Sequence, residues 1–365
     1  MRTDFVRALE RAANLEELSR DELAVLISAD EEESAALFDC ADMMRSRFMG
    51  DEVHLRGIIE FSNICSSNCY YCGLRKGNTA LKRYRMSKAE ILESARKAAV
   101  LGCRTIVLQS GEDRSYPAGL LAEIVAEIKS ELDVAITLSV GERPREDYAL
   151  WREAGADRYL LKHETCDGKL FSELRPGTVL EERLQRLAWL RELGYQVGSG
   201  NMVGLPGQTV ETLAGDIVLM REMEVEMAGI GPFVPNRQTP LGSCPGGTLE
   251  LTLKTLAAAR LALPRTHLPA TTATATIDAL GRVKALRCGA NVIMPNMTPL
   301  KYRASYSIYP GKTGLEDTPE ESYAKAVRMV ESAGRKVGTG YGHSLRHLEK
   351  KAEAQAYKVN GLKNF

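Results

Sequence analysis

The chain has no excess of charge of either sign. Lys and Arg together number 48, against 48 Asp and Glu, over 365 residues. It therefore lacks the basic surplus that draws proteins to nucleic acid or to anionic membrane. An apolar leader is also missing. The opening stretch "MRTDFVRALERAANLEELSRDELAVL" is charged throughout, which argues against a secretory signal. No apolar run approaches the length needed to span a bilayer. Nor does any Pro/Ser-rich linker or charge block divide the chain. Five of the eight cysteines (Cys40, Cys103, Cys166, Cys244 and Cys288) stand singly, the usage of a reducing compartment rather than of a disulfide framework. The expectation is a cytoplasmic protein with no nucleic-acid or membrane partner.

What the chain does have is alternation. Residues 1–50 read as helical, with "SRDE" at Ser19 to Glu22 matching a capping box. Strand-like "VHLRGIIEFSN" follows, and a second capping box, "SKAE" at Ser87 to Glu90, opens the next helix. Further strand patterns are "RTIVLQS", "VAITLSV", "RYLLKHE", "QVGSGNMVG", "MAGIGPF", "LPATTAT" and "ANVIMPN", nearly all separated by helical periodicity. Pro319 after Thr318 suits the first position of a late helix. Eight strands in right-handed βαβ units close into a barrel. The predicted fold is α/β: a single (β/α)8 TIM-type barrel over residues 51–350, with an N-terminal helical extension at 1–50 and a C-terminal tail at 351–365. An open doubly wound sheet is the structural rival. Polar residues gather where the strands end ("QSGED", "TLSVGE", "HET", "GNMVGLPGQ"), at the end where such barrels build their sites.

The remaining three cysteines stand together in "NICSSNCYYCGLR", directly after the first strand. Cys65, Cys69 and Cys72 follow the spacing C-x3-C-x2-C. A structural zinc site takes four protein ligands, and a ferredoxin-type cluster takes four cysteines. No His or Cys lies near enough in sequence to be a fourth, since His54 falls at the opposite end of the strand. Three thiolates on a cubane leave one iron open to a substrate or cofactor, which is a catalytic arrangement. A zinc knuckle is the plainer alternative.

That spacing after a first barrel strand, with Tyr71 before the last cysteine and "SGED" at Ser110 to Asp113, resembles the radical S-adenosylmethionine (SAM) superfamily. The segments "LKRYRMS", "TLSVGERPRE", "GADRYLLKHET", "LRPGTVLEERL", "GIGPFVPNRQTPL" and "RCGANVIMPNMTP" extend the likeness over roughly residues 55–311, to the HydE family of FeFe-hydrogenase maturation enzymes. The resemblance implies one 4Fe-4S cluster with an open iron site. It also implies reductive cleavage of SAM to a 5′-deoxyadenosyl radical, which acts on a cysteine-bound iron carbonyl cyanide complex. HydG and HydF are the implied partner maturases, and ferredoxin or flavodoxin the implied electron donor.

By the same resemblance, Cys65, Cys69 and Cys72 ligate the cluster. Ser110, Gly111 and Glu112 hold the SAM amino group, while Ser139, Glu164 and Arg183 contact its ribose and carboxylate. For Arg183 the alternative is a surface ion pair within its helix. Tyr71 is placed beside the cofactor, and Met202 and Ile230 either pack on adenine or are ordinary core.

Thr137, Arg158, Thr271 and Thr272 interrupt strands that are otherwise apolar. Such groups are costly to bury unless they meet a polar or anionic ligand. They are the predicted substrate-binding residues, with Tyr306 added by resemblance. An ion pair of Arg158 with Asp157 or Glu164 is the plainer reading. His163 is either a proton donor or a structural histidine. The stretch "YPGKTGLEDTPEESYAKAVRMV" has none of the extra cysteines that bind an auxiliary cluster in some HydE proteins, so a single cluster is expected. Two rival functions remain. One is a related radical SAM enzyme acting on an amino acid, such as methylornithine synthase. The other is a non-catalytic iron–sulfur carrier.

Overall fold

The computed structural model describes residues 1–349 and 352–353. The expected tail at 351–365 therefore lies, apart from 352 and 353, outside the described residues. Three helices open the chain: α1 (Thr3–Ala13), α2 (Arg20–Ile27) and α3 (Glu31–Met49). Ser19 caps α2 and Asp30 caps α3, each in a reciprocal capping box with a Glu three residues on. Their apolar faces (Phe5, Leu23, Leu26, Leu37) share one buried cluster with Leu213, Ile217 and Leu256 of later helices.

The barrel follows as β1 (Glu52–Ser62), α4 (Lys88–Val100), β2 (Thr105–Ser110), α5 (Ala118–Glu131), β3 (Ala135–Ser139), α6 (Arg145–Glu153) and β4 (Arg158–Leu160). Then come α7 (Gly168–Leu174), α8 (Leu180–Glu192), β5 (Gln196–Ser199), β6 (Met202–Val203), α9 (Val210–Glu222), β7 (Met227–Ala228), β8 (Gly231–Pro232) and α10 (Leu249–Ala262). Ser87 and Glu90 form the predicted capping box on α4. Strands β1, β2, β3, β4, β5 and β7 pair in parallel in that order. They are buried on both faces, as parallel strands covered by helices are.

The predicted strand "LPATTAT" is not one. Ala228 N donates to His267 O at 2.9 Å and Ala270 N to Val292 O at 2.8 Å, so this segment closes the ring through isolated bridges only. The chain then turns into α11 (Thr272–Ile277). Pro269 has no N–H to offer a ladder. The hydroxyls of Thr274 and Thr276 donate back to the carbonyls of Thr271 and Thr272, at 2.7 and 3.2 Å, which satisfies them within a helix. After α12 (Gly281–Arg287), β9 (Val292–Ile293) pairs with β1 and completes the barrel.

Two further predicted strands break in the middle. "QVGSGNMVG" divides into β5 and β6, and "MAGIGPF" into β7 and β8; β6 and β8 pair separately above the barrel. Gly200 makes the first break. Its φ is +152°, and a Cβ there would stand 2.1 Å from Gly229 O, so the two chains cross backbone to backbone.

The chain ends with α13 (Leu300–Arg303), α14 (Pro319–Ser332) and β10 (Lys336–Val337). Thr318 caps α14, with Pro319 at the predicted place. The unpredicted β10 pairs with β1 at Glu52 and Val53. It leads residues 338–344 across the N-terminal end of the barrel. There Tyr341 O accepts from Thr105 Oγ1 (2.9 Å) and Arg158 Nη2 (2.7 Å), and Ser344 N donates to Gln196 Oε1 (2.9 Å). Among the described residues no helix is long and apolar enough to cross a membrane.

Candidate active site

The opposite, C-terminal end of the barrel holds a cavity of about 500 Å³. The cysteine loop forms one wall. It has no regular secondary structure and is held by polar side chains instead. Asn63 Nδ2 donates to Lys82 O (2.8 Å) and Ser305 O (2.6 Å), while Arg83 donates to the carbonyls of Asn63, Leu74 and Arg75 at 2.7–2.8 Å. Gly73 N donates to Ile308 O at 2.7 Å and Tyr70 N to Leu174 O at 2.9 Å. Cys65, Cys69 and Cys72 are free thiols, and all three line the cavity. Burial pushes each thiol above its ordinary pKa, although the Arg175 guanidinium pulls Cys69 the other way. No group of three His, Cys, Asp or Glu among the described residues converges on a single-ion site.

The "SGE" segment at the end of β2 faces them. A Cβ on Gly111 would stand 2.3 Å from Ile64 O, so only glycine lets this turn lie against the cysteine loop. Ser110 Oγ donates to Gly111 O at 2.7 Å. Glu112 is 6 % exposed; its carboxylate accepts from Glu142 N (3.1 Å) and Ser67 Oγ (2.9 Å). Burial pushes its pKa up, but the Glu142 amide with Arg175 and Arg183 outweighs it, leaving Glu112 below the usual carboxylate range.

Arg183, in the first turn of α8, is buried and is not a surface helix partner. Its Nη1 donates to Lys162 O at 3.1 Å. Its Nε lies 2.6 Å from Glu142 Oε1 without being aligned as a hydrogen bond, and Nη2 has no partner among the described residues. Glu164 adopts φ +69°, rare for a side-chain-bearing residue, and its backbone is pinned by Gly200 O and Met202 N. Its Oε2 lies 3.2 Å from Lys162 Nζ. Ser139, Met202 and Tyr71 line the same cavity.

The far side of the cavity carries Thr271, Thr272 and Tyr306. Thr271 Oγ1 is buried without a partner among the described residues, and Thr272 Oγ1 accepts from Arg282 Nη2 at 2.5 Å. Tyr306 Oη accepts from Gln109 Nε2 at 3.2 Å. Lys312 pairs with Glu60 and lies 5.2 Å from the Tyr306 ring centroid.

Three predicted residues are not brought here. Arg158 lies at the other end of the barrel, engaged by Tyr341 O, Thr105 Oγ1 (3.0 Å) and His343 Nδ1 (2.9 Å). Among the described residues it forms no ion pair with Glu164 or Asp157; the latter pairs with Lys129 at 3.2 Å. Thr137, two residues before Ser139 on the same strand face, is fully buried and does not line the cavity. Ile230 points outward into the cluster shared with the N-terminal helices, while its neighbours Gly229 and Gly231 face the cavity. His163 is wholly buried, with Nδ1 3.0 Å from Ser199 Oγ and Nε2 3.3 Å from Asp216 Oδ1, and does not line the cavity.

Arg175, Glu142, Glu60, Lys312 and Arg282 were missed. No spacing or periodicity marks them. Arg175 follows a short helix in "LRPGT" and reads as an ordinary residue before a turn. A one-residue shift of strand parity would hide Glu60 in a buried strand.

The family model for the radical SAM superfamily matches residues 59–220. The FeFe-hydrogenase maturase subunit HydE of Thermotoga maritima is 49 % identical over 346 residues, which cover 95 % of this chain and 98 % of that one. The 3-methylornithine synthase of Methanosarcina acetivorans is 31 % identical, over 80 % of this chain and 83 % of that one. Among solved structures, methylornithine synthase (PylB) superposes with a TM-score of 0.80 at 25 % identity, over 94 % of this chain and 99 % of that one.

Proposed function

The chain belongs to the radical SAM superfamily and, within it, to the HydE family of FeFe-hydrogenase maturases, and from that premise we propose how its own residues serve that chemistry. Cys65, Cys69 and Cys72 hold a single 4Fe-4S cluster and leave one iron to SAM. Such a cluster, given one electron by a low-potential donor such as ferredoxin or flavodoxin, would pass it to SAM, whose S–C5′ bond would break to give methionine and a 5′-deoxyadenosyl radical. Three free thiols line one cavity, with no fourth Cys or His among the described residues that line it, which supports an open-site cluster over a four-ligand structural zinc.

The residues beside the thiols divide the work of binding. Glu112, held ionised, accepts from the SAM ammonium. Arg183 has donor capacity left for the methionine carboxylate, and Glu164 has acceptor capacity for a ribose diol. Ser110, Gly111, Ser139, Tyr71 and Met202 shape the remaining contacts.

The substrate is a cysteine-bound iron carbonyl cyanide complex supplied by HydG, and the product passes to HydF for assembly of the di-iron unit. The far wall supports this reading over a lysine substrate. Of its carboxylates, Glu60 is paired with Lys312 and Asp317 with Lys325. Neither is left over for an ammonium group. Arg282 has no carboxylate partner among the described residues and, with Thr271 and Thr272, suits an anion. The methylornithine synthase reading keeps the support of the 31 % identical relative.

The observation that carries the proposal is the cysteine triad facing Glu112 and Arg183 across one cavity. The test is 5′-deoxyadenosine release after anaerobic reconstitution with iron and sulfide and reduction by dithionite. Release stimulated by the cysteine-bound iron complex is expected. No release favours an electron carrier, and stimulation by lysine favours the synthase.

A further inference from the structure

Among the described residues, Arg175 is the charged side chain that donates a hydrogen bond to a sulfur of the cysteine triad. It is 6 % exposed, at the C-terminal cap of α7. Its Nη1 donates to Cys69 Sγ at 3.0 Å and lies 3.2 Å from Tyr71 Oη. Its Nη2 is 3.9 Å from Glu112 Oε2, and the guanidinium carbon sits 5.6 Å from the Phe171 ring centroid. The backbone fixes this placement. Arg175 N donates to Phe171 O (2.9 Å), and Arg175 O accepts from Thr178 N and Oγ1 (3.1 and 2.8 Å). One residue earlier, Leu174 O accepts from Tyr70 N inside the cysteine loop. Among the described residues no side chain donates a hydrogen bond to the sulfur of Cys65 or Cys72, whose thiol pKa values are eased down only by nearby backbone amides, of Glu112 and Ser67 at Cys65 and of Leu74 at Cys72.

Taking the three cysteines as cluster ligands, we propose that Arg175 tunes the reduction potential of that cluster by donating to Cys69 Sγ. Reduction adds one electron, delivered by a low-potential one-electron donor, with no bond made and no proton taken up. The added negative charge spreads over core and thiolates. A buried cation and an N–H donor at one thiolate stabilise the reduced form more than the oxidised form and so raise the potential. Glu112, at 3.9 Å, offsets part of that effect. The residue sits outside the C-x3-C-x2-C loop and is brought to it only by the fold.

The test compares wild type with Arg175→Met and Arg175→Gln, each reconstituted anaerobically. Iron and sulfide content and far-ultraviolet circular dichroism are recorded, and the cluster is titrated by electron paramagnetic resonance at controlled potentials. Both variants are expected to load the cluster and to titrate at a more negative potential, with altered g-values. A structural role alone would change loading or folding and leave the potential of the loaded fraction in place. Either variant carrying its cluster at the wild-type potential overturns the proposal. If the methionine variant does not load, the glutamine variant decides by the same criterion. A wild-type chain that takes up no iron and sulfide overturns the cluster reading, and the tuning with it.

Discussion

At the N-terminal end of the barrel, Thr105, Arg158, Gln196 and Glu226 all find partners in the chain's own residues 341–344. At the C-terminal end, Arg183 Nη2, Arg175 Nε, Arg282 Nε and Thr271 Oγ1 are buried without a partner among the described residues. Both ends present inward-facing polar side chains, from the strands themselves at the closed end and from the helices and loops that follow them at the open end. One end is plugged by protein and the other is left for ligands. The closed end is not perfectly satisfied, since Arg56 Nε and His54 Nδ1 also lack partners among the described residues. What separates the ends is the space around the groups left over. At the open end the leftovers surround a cavity of about 500 Å³, and a buried polar group is costly unless a ligand meets it.

The largest effect that sharpens this contrast is at the cysteines. Cys72→Ala is expected to reduce 5′-deoxyadenosine formation to the level without protein, with the fold retained by circular dichroism. Next comes Arg158→Met at the closed end. It strips donors from Tyr341 O, Thr105 and His343 and is expected to cost about 2–4 kcal/mol of stability. SAM binding by the folded fraction should not change. A loss of SAM affinity in that variant would break the comparison, because it would place Arg158 in the site after all.

Arg183→Met is the counterpart at the open end. It is expected to weaken SAM binding roughly 10- to 100-fold, about 1.4–2.8 kcal/mol, and also to lower Tm, since Glu142 loses its 2.6 Å partner. Calorimetric titration on the reconstituted protein measures it.

A further effect is a pH dependence seated at the closed end. Burial, with Arg56 and Arg158 nearby, holds His54 down at about 4. The folded chain thus refuses a proton that the unfolded chain accepts near 6.5. This contribution to stability is complete above about 6.5. It is lost progressively as pH falls towards 4, where the loss levels off. Thermal unfolding across that range should show a shallower acid limb for His54→Asn than for wild type.

Much of the fold could be read from the chain because hydrophobic period and capping boxes are local signals. Ser19, Ser87 and Thr318 cap the helices they were expected to cap. The failures came where backbone crossings and proline override local preference. "LPATTAT" is β-branched and yet turns helical after Pro269, and Gly200 splits a strand that looked continuous.

In the site, the cysteine loop and "SGED" were legible because chemistry fixed their spacing. Arg158 was misplaced because strand alternation shows that a side chain faces inward but not at which height along the barrel. Its partners lie some 180 residues away in the segment after β10. Arg175 was invisible for the same reason. Its contact with Cys69 spans 106 positions and follows no period.

The central claim is that the protein supplies three ligands and SAM the rest. The most direct measurement is the electron paramagnetic resonance spectrum of the dithionite-reduced, reconstituted chain before and after SAM is added. The account predicts about four irons per chain and a reduced-cluster signal whose g-values change when SAM binds. A signal indifferent to SAM, or a chain holding zinc instead of iron and sulfide, would contradict it.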